Sequence, residues 1–287
     1  MTPDATADPI ATAGPSDDSA PVDDTVAGPH GPIPVRWYSP RGAPAAGTAP
    51  IVWVHGGAFV RGDLDLPETH EVALALAAEG YRVVTVDYRL ATPGFLRPAG
   101  ARIRYPVPGD DVLAVVRAVH RDHPDGVIVG GASAGACLAA GAVLRLAAGG
   151  APPLRGVFFT YGIFHARLPE LSREVRSRLR GRRRFLHAPT LLNLLNRYYA
   201  GTAAALADPF AFAGGHPVAG FPPTLMIDAE SDSIRASGEA FGRELTAAGV
   251  PVEYRVHAGA AHAFLNRPRD PGFAAAIRSI AEWAGRV

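Results

Sequence analysis

Residues Gly131-Ala132-Ser133-Ala134-Gly135 form a Gly-x-Ser-x-Gly pentapeptide. It follows a short apolar run, Gly126-Val127-Ile128-Val129-Gly130, and opens an Ala-rich stretch that reads as a helix from Ala134 to Ala148. Strand, sharp turn, then helix is the setting in which a serine hydroxyl is lifted clear of a sheet as a nucleophile. The flanking glycines suit a strained serine backbone with little room for side chains. The following helix N-terminus adds a dipole that favours a developing negative charge. The chemistry this predicts is acyl transfer through Ser133.

Serine needs a base, and the negative oxygen formed on attack needs donors. His55-Gly56-Gly57-Ala58-Phe59 ends an earlier apolar run, and such a Gly-rich loop can turn backbone N–H groups toward the serine. In this type of site the acid and base follow the nucleophile in the order Ser, Asp or Glu, His, each after a later strand. His262 lies past the final strand in the small-residue loop Gly259-Ala260-Ala261-His262-Ala263-Phe264. His257 reads as strand surface, and His120, His123 and His187 as ordinary exposed positions. The acid falls on Asp228 or on the loop Ala229-Glu230-Ser231-Asp232, where spacing alone does not choose.

These residues need elements to position them, and from residue 30 onward the chain alternates strand, turn and helix. Strands are predicted at Ile33 to Tyr38, Pro50 to His55, Arg82 to Tyr88, Gly126 to Gly130, Gly156 to Tyr161, Thr224 to Asp228 and Val252 to His257. Pro34 places the first at a sheet edge. Helices are predicted from Pro67 to about Gly80, from Asp110 to His120, from Ala134 to Ala148, and from Ser237, read as a serine N-cap, toward Gly249. Apolar strands covered on both faces imply a mainly parallel sheet flanked by helices.

With these pieces in place the chain resembles the hormone-sensitive-lipase family of α/β-hydrolases, carboxylesterases with a His-Gly-Gly-Gly motif. The likeness runs from about residue 33 to the C-terminus and includes Tyr88-Arg89-Leu90-Ala91, Tyr105-Pro106, Phe221-Pro222-Pro223-Thr224 and His262-Ala263-Phe264. It implies an α/β-hydrolase fold with a small helical lid, Ser133 as nucleophile, His262 as base and Asp232 as orienting acid. Asp232-Ser233-Ile234-Arg235 stands where the family has Asp-Pro-Leu-Arg, which favours Asp232 over Glu230 and Asp228. It also implies an oxyanion hole from the N–H groups of Gly57, Ala58 and Ala134. Ala58 replaces the third motif glycine, Ala132 the Asp before the nucleophile and Ala136 the Gly after the elbow. None of these departures removes a catalytic atom.

Composition bounds the remainder. The chain has 287 residues, 48% hydrophobic, which fits one α/β domain. No apolar run approaches the roughly 18 residues of a spanning helix, so no membrane span and a cytoplasmic location are expected. A net charge of +1 argues against nucleic-acid partners, and all 28 basic residues are arginine. The single cysteine, Cys137, allows neither an internal disulfide nor a Cys-based zinc site; no metal or cofactor is expected. Residues 1–29 hold six aspartates and little to bury, and read as a disordered acidic tail whose removal should not affect stability. Gly94 to Arg104 reads as an insertion. Residues 165–200, with eight arginines between Arg167 and Arg184, read as the lid. The expected function is hydrolysis of a small-molecule ester through an acyl-enzyme. An acyltransferase, deacetylase or lactone-forming cyclase is the alternative on the same triad, and a non-enzymatic receptor is disfavoured because all three members are present. A homodimer is compatible with the sequence.

Overall fold

The computed structural model describes residues 20–42, 48–91, 102–179 and 189–287. In chain order the elements are β1 (Val22–Val26), β2 (Ile33–Tyr38), β3 (Ile51–Val54), α1 (Pro67–Ala78), β4 (Val83–Val86), α2 (Val107–Asp122), β5 (Ile128–Ala132), α3 (Ala134–Ala148) and β6 (Gly156–Thr160). After them come α4 (Arg173–Arg178), α5 (Pro189–Ala200), α6 (Ala203–Leu206), β7 (Thr224–Ser231), α7 (Arg235–Ala247), β8 (Val252–Ala261), a 3-10 turn (Phe264–Asn266) and α8 (Pro271–Ala284). The strands form one sheet in the order β1-β2-β4-β3-β5-β6-β7-β8. Only β1 with β2 and β2 with β4 run antiparallel.

The central strands β3, β4, β5 and β6 are buried on both faces. One apolar layer packs Val112, Val116, Leu138 and Phe241 of α2, α3 and α7 against the sheet. The other packs Val72 and Leu76 of α1 and Ile277, Ile280 and Trp283 of α8 against the opposite face. The three-layer arrangement expected from the alternation is the one observed.

Several local expectations are corrected. Residues 22–26, assigned to a disordered tail, form β1 and pair along their whole length with β2. The strand carries no apolar signal because only Val26 is buried. Its backbone ladder and the Asp23–Arg36 ion pair hold it instead. With β1 outside it, β2 is not an edge strand, and Pro34 sits opposite Thr25 in an antiparallel pair. Ser237 is not an N-cap: α7 starts two residues earlier, and Ser237 lies inside it. The C-terminal helix α8, begun by Pro271 and capped by the Asp270 side chain on the Gly272 N–H, has no counterpart in the sequence reading. Most of the insertion at Gly94 to Arg104, and His187, lie outside the described residues. The segment 165–200 contributes α4 and α5 among its described residues.

Candidate active site

Ser133 leaves the C-terminal end of β5 and caps α3 with φ 51° and ψ −116°, a conformation hostile to a side chain. Neighbouring backbone over-determines it. The Ser133 N–H donates to the Thr160 carbonyl at 2.9 Å, and its own carbonyl accepts from Ile163 at 3.2 Å. Gly135 is required because a Cβ there would lie 2.2 Å from the Val54 carbonyl oxygen. The elbow helix therefore packs directly on the end of β3, which brings the loop after β3 against the serine.

In that loop Gly57, Ala58 and Phe59 all have positive φ, at 118°, 54° and 67°. A Cβ on Gly57 would sit 1.9 Å from the Arg61 carbonyl oxygen, so only glycine fits. Ala58 tolerates the left-handed region at a cost of roughly 1 kcal/mol. The N–H groups of Gly57, Ala58 and Ala134 have no hydrogen-bond partner among the described residues, whereas that of Gly56 is taken by Glu68 at 2.6 Å. His55 buckles the loop. It is buried, stacks on Tyr88 at 4.5 Å, and places Nδ1 2.7 Å from the Gly56 carbonyl. Burial pushes its pKa down to about 4, so it stays neutral and serves structure.

Strands β7 and β8 run in parallel past their predicted ends, and Ser231 pairs with Ala261 across a register shift. The next residue on each strand is Asp232 and His262, so the two leave the sheet side by side. His262 Nδ1 lies 2.7 Å from Asp232 Oδ2, and His262 Nε2 lies 3.2 Å from Ser133 Oγ. Asp232 also accepts the Ile234 N–H through Oδ1 at 2.9 Å, which fixes its plane. Burial works to lower the His262 pKa, but the Asp232 carboxylate, with Glu68 and Asp228 behind it, outweighs this and raises it. The edge of the Tyr161 ring packs on the imidazole at 5.1 Å.

The structure thus brings Ser133, His262 and Asp232 into one hydrogen-bonded chain beside the loop of Gly57 and Ala58. Glu230 points elsewhere, its carboxylate bound by Arg178 at 2.5 Å and by the Gly259 N–H at 2.9 Å. Asp228 is buried against the Tyr254 hydroxyl, and burial pushes its pKa up to about 8. His120 and His123 are half-buried rather than exposed. Sequence reasoning missed Glu68, Tyr161 and Asn266, which surround the histidine from behind. An acidic residue in the first turn of a helix looks like ordinary dipole compensation, and nothing in the spacing marks Glu68 as buried.

A family model described as the α/β hydrolase fold matches residues 51–266. The chain belongs to the α/β-hydrolase family, in its branch of carboxylic-ester hydrolases. It is 33% identical over 243 residues to the esterase LipI of Mycobacterium tuberculosis, covering 79% of this chain and 69% of that protein. It is 32% identical over 243 residues to an ethyl acetate hydrolase of Pseudomonas putida, covering 81% of this chain and 71% of that protein. Among solved structures, the esterase of Pyrobaculum calidifontis superposes with a TM-score of 0.78 at 27% identity, over 92% of this chain and 85% of that one. Brefeldin A esterase, a bacterial homologue of human hormone-sensitive lipase, superposes with a TM-score of 0.74 at 28% identity, over 96% and 80%. The resemblance read from the sequence motifs therefore holds. Among the described residues no helix is long and apolar enough to cross a membrane.

Proposed function

We propose that this protein is a serine carboxylesterase that cleaves a small-molecule ester through an acyl-enzyme on Ser133. The observation that carries the reading is the chain Asp232–His262–Ser133, with its 2.7 Å and 3.2 Å links, built on a strained elbow. His262 Nε2 takes the Ser133 proton as Oγ attacks the ester carbonyl carbon. Asp232 keeps the Nδ1 proton in place and balances the imidazolium. The carbonyl oxygen, now negative, is received by the N–H groups of Gly57, Ala58 and Ala134, each worth on the order of 10² to 10³ in rate for sites of this kind. His262 then protonates the departing alcohol. A water molecule, deprotonated by the same nitrogen, releases the acid and restores the serine.

The test is hydrolysis of an activated acetate ester by the wild-type chain, with and without an added alcohol or amine, and by Ser133→Ala. Turnover should fall by at least about 10⁴-fold in a variant that folds normally. Retained turnover would remove Ser133 from the mechanism. Product formation that requires the added acceptor would move the reading to an acyltransferase.

A further inference from the structure

Glu68 is a carboxylate with 1% of its surface exposed, at the second residue of α1. Offsetting the helix dipole does not require burial, and an exposed carboxylate would do that at no desolvation cost. Instead three donors converge on it. Oε2 accepts the Gly56 N–H at 2.6 Å, and Oε1 accepts the Tyr161 hydroxyl at 2.6 Å and Asn266 Nδ2 at 3.1 Å. The Glu68 N–H reaches back to Asn266 Oδ1 at 3.4 Å. Each partner belongs to a different part of the site. Gly56 begins the loop that carries Gly57 and Ala58, Tyr161 packs edge-on against the His262 ring, and Asn266 closes the turn that follows His262.

We infer that Glu68 is a positioning residue for ester cleavage: its two oxygens hold the oxyanion loop in register with the His262 segment, and its negative charge supports the imidazolium that His262 becomes. This rests on the reading of Ser133 and His262 as nucleophile and base. An ionised carboxylate is acceptor-only, which matches a site where every neighbour donates. Burial pushes the Glu68 pKa up, and Tyr161, the Gly56 N–H, His262 and Arg61 offset only part of that rise. The groups facing His262 include Asp228 of β7 and Asp232 just past it, Glu68 from α1, Tyr161 just past β6 and Ser133 from the elbow. Of the three carboxylates only Asp232 touches the ring, so Glu68 acts through space and through Tyr161 and Asn266.

Glu68→Gln removes the charge and keeps the shape, with the amide oxygen able to accept the Gly56 N–H. The full chain is assayed on an activated acetate ester across pH, after wild-type protein has been shown to take a fluorophosphonate label at Ser133. With folding intact, kcat should fall about 10- to 100-fold while KM changes little. The acid limb of kcat/KM, set by deprotonation of His262, should move to lower pH by about half a unit or more. Either an unmoved acid limb or an unchanged kcat overturns the inference. If Glu68→Gln does not fold, Asn266→Ala decides, because it truncates a half-buried side chain and cuts the tie on the histidine side alone. A kcat loss of about threefold or more at constant KM supports the tie, and an unchanged kcat refutes it. Failure of wild-type Ser133 to label would sink the esterase reading itself, separately from Glu68.

Discussion

Two serine–histidine–acid chains occur among the described residues, and they are alike in residue chemistry and unlike in setting. In the first, Ser133 Oγ lies 3.2 Å from His262 Nε2, and His262 Nδ1 lies 2.7 Å from Asp232. In the second, Ser237 Oγ lies 2.9 Å from His165 Nδ1, and His165 Nε2 lies 3.1 Å from Glu244. By distance the serine–histidine link of the second is the tighter. Its surroundings are opposite in kind. Ser237 sits inside α7, fully buried, and its oxygen already accepts the Phe164 N–H at 3.0 Å. The backbone of Gly214 covers the His165 ring so closely that a Cβ there would come within 2.6 Å of it. Glu244 spends its other oxygen on the Gly215 N–H. This set clamps the segment after β6, at Phe164 and His165, and the Gly214–Gly215 turn onto α7. The Ser133 side has a strained backbone at φ 51° and a positive-φ loop whose N–H groups at Gly57 and Ala58 have no partner among the described residues. Residue types and hydrogen-bond lengths therefore do not make a triad. What sets Ser133 apart from Ser237 is a hydroxyl with uncommitted acceptor capacity, placed on a strained turn beside donors.

Three substitutions probe that contrast, in decreasing order of effect. Asp232→Asn should lower kcat on an activated ester by on the order of 10⁴, because His262 loses its preferred tautomer and its counter-charge. A loss under about tenfold in a folded variant would take the acid role from Asp232. Ser237→Ala should leave turnover near the wild-type value but destabilise the fold by about 1–3 kcal/mol, since the buried Phe164 N–H loses its acceptor. Chemical denaturation reads this, and a large loss of kcat with unchanged stability would mean the second chain is not merely a clamp. Glu230→Gln should be mildest, because Glu230 is partly exposed and serves Arg178 and the Gly259 N–H. Its kcat should stay within about threefold of wild type, as expected for an exposed ion pair worth less than about 1 kcal/mol. A greater loss than that of Asp232→Asn would reverse the acid assignment.

The turn at Ser133, the Gly-rich loop at Gly56-Gly57 and the position of His262 past the last strand were legible because each rests on local rules: glycine where a Cβ collides, and turns at strand ends. The place of Asp232 beside His262 was legible only through family register, since it depends on Ser231 pairing with Ala261 past the predicted strand ends. Edge strand β1 was illegible because backbone pairing and one ion pair, not apolar burial, hold it. Ser237 looked like a cap because serine before an amphipathic stretch favours that position, yet its hydroxyl is committed to Phe164 and His165 across the fold. Glu68 was hidden for a related reason. Its partners Tyr161 and Asn266 lie 93 and 198 residues away in the chain.

The central claim is that reactivity belongs to Ser133 and not to the chemically similar Ser237. Treating the full chain with a fluorophosphonate and mapping the adduct by peptide mass spectrometry tests it directly. The account predicts one adduct, on the peptide containing Ser133, formed in step with loss of esterase activity and absent in Ser133→Ala. An adduct on Ser237, or complete inactivation with Ser133 unmodified, would contradict it.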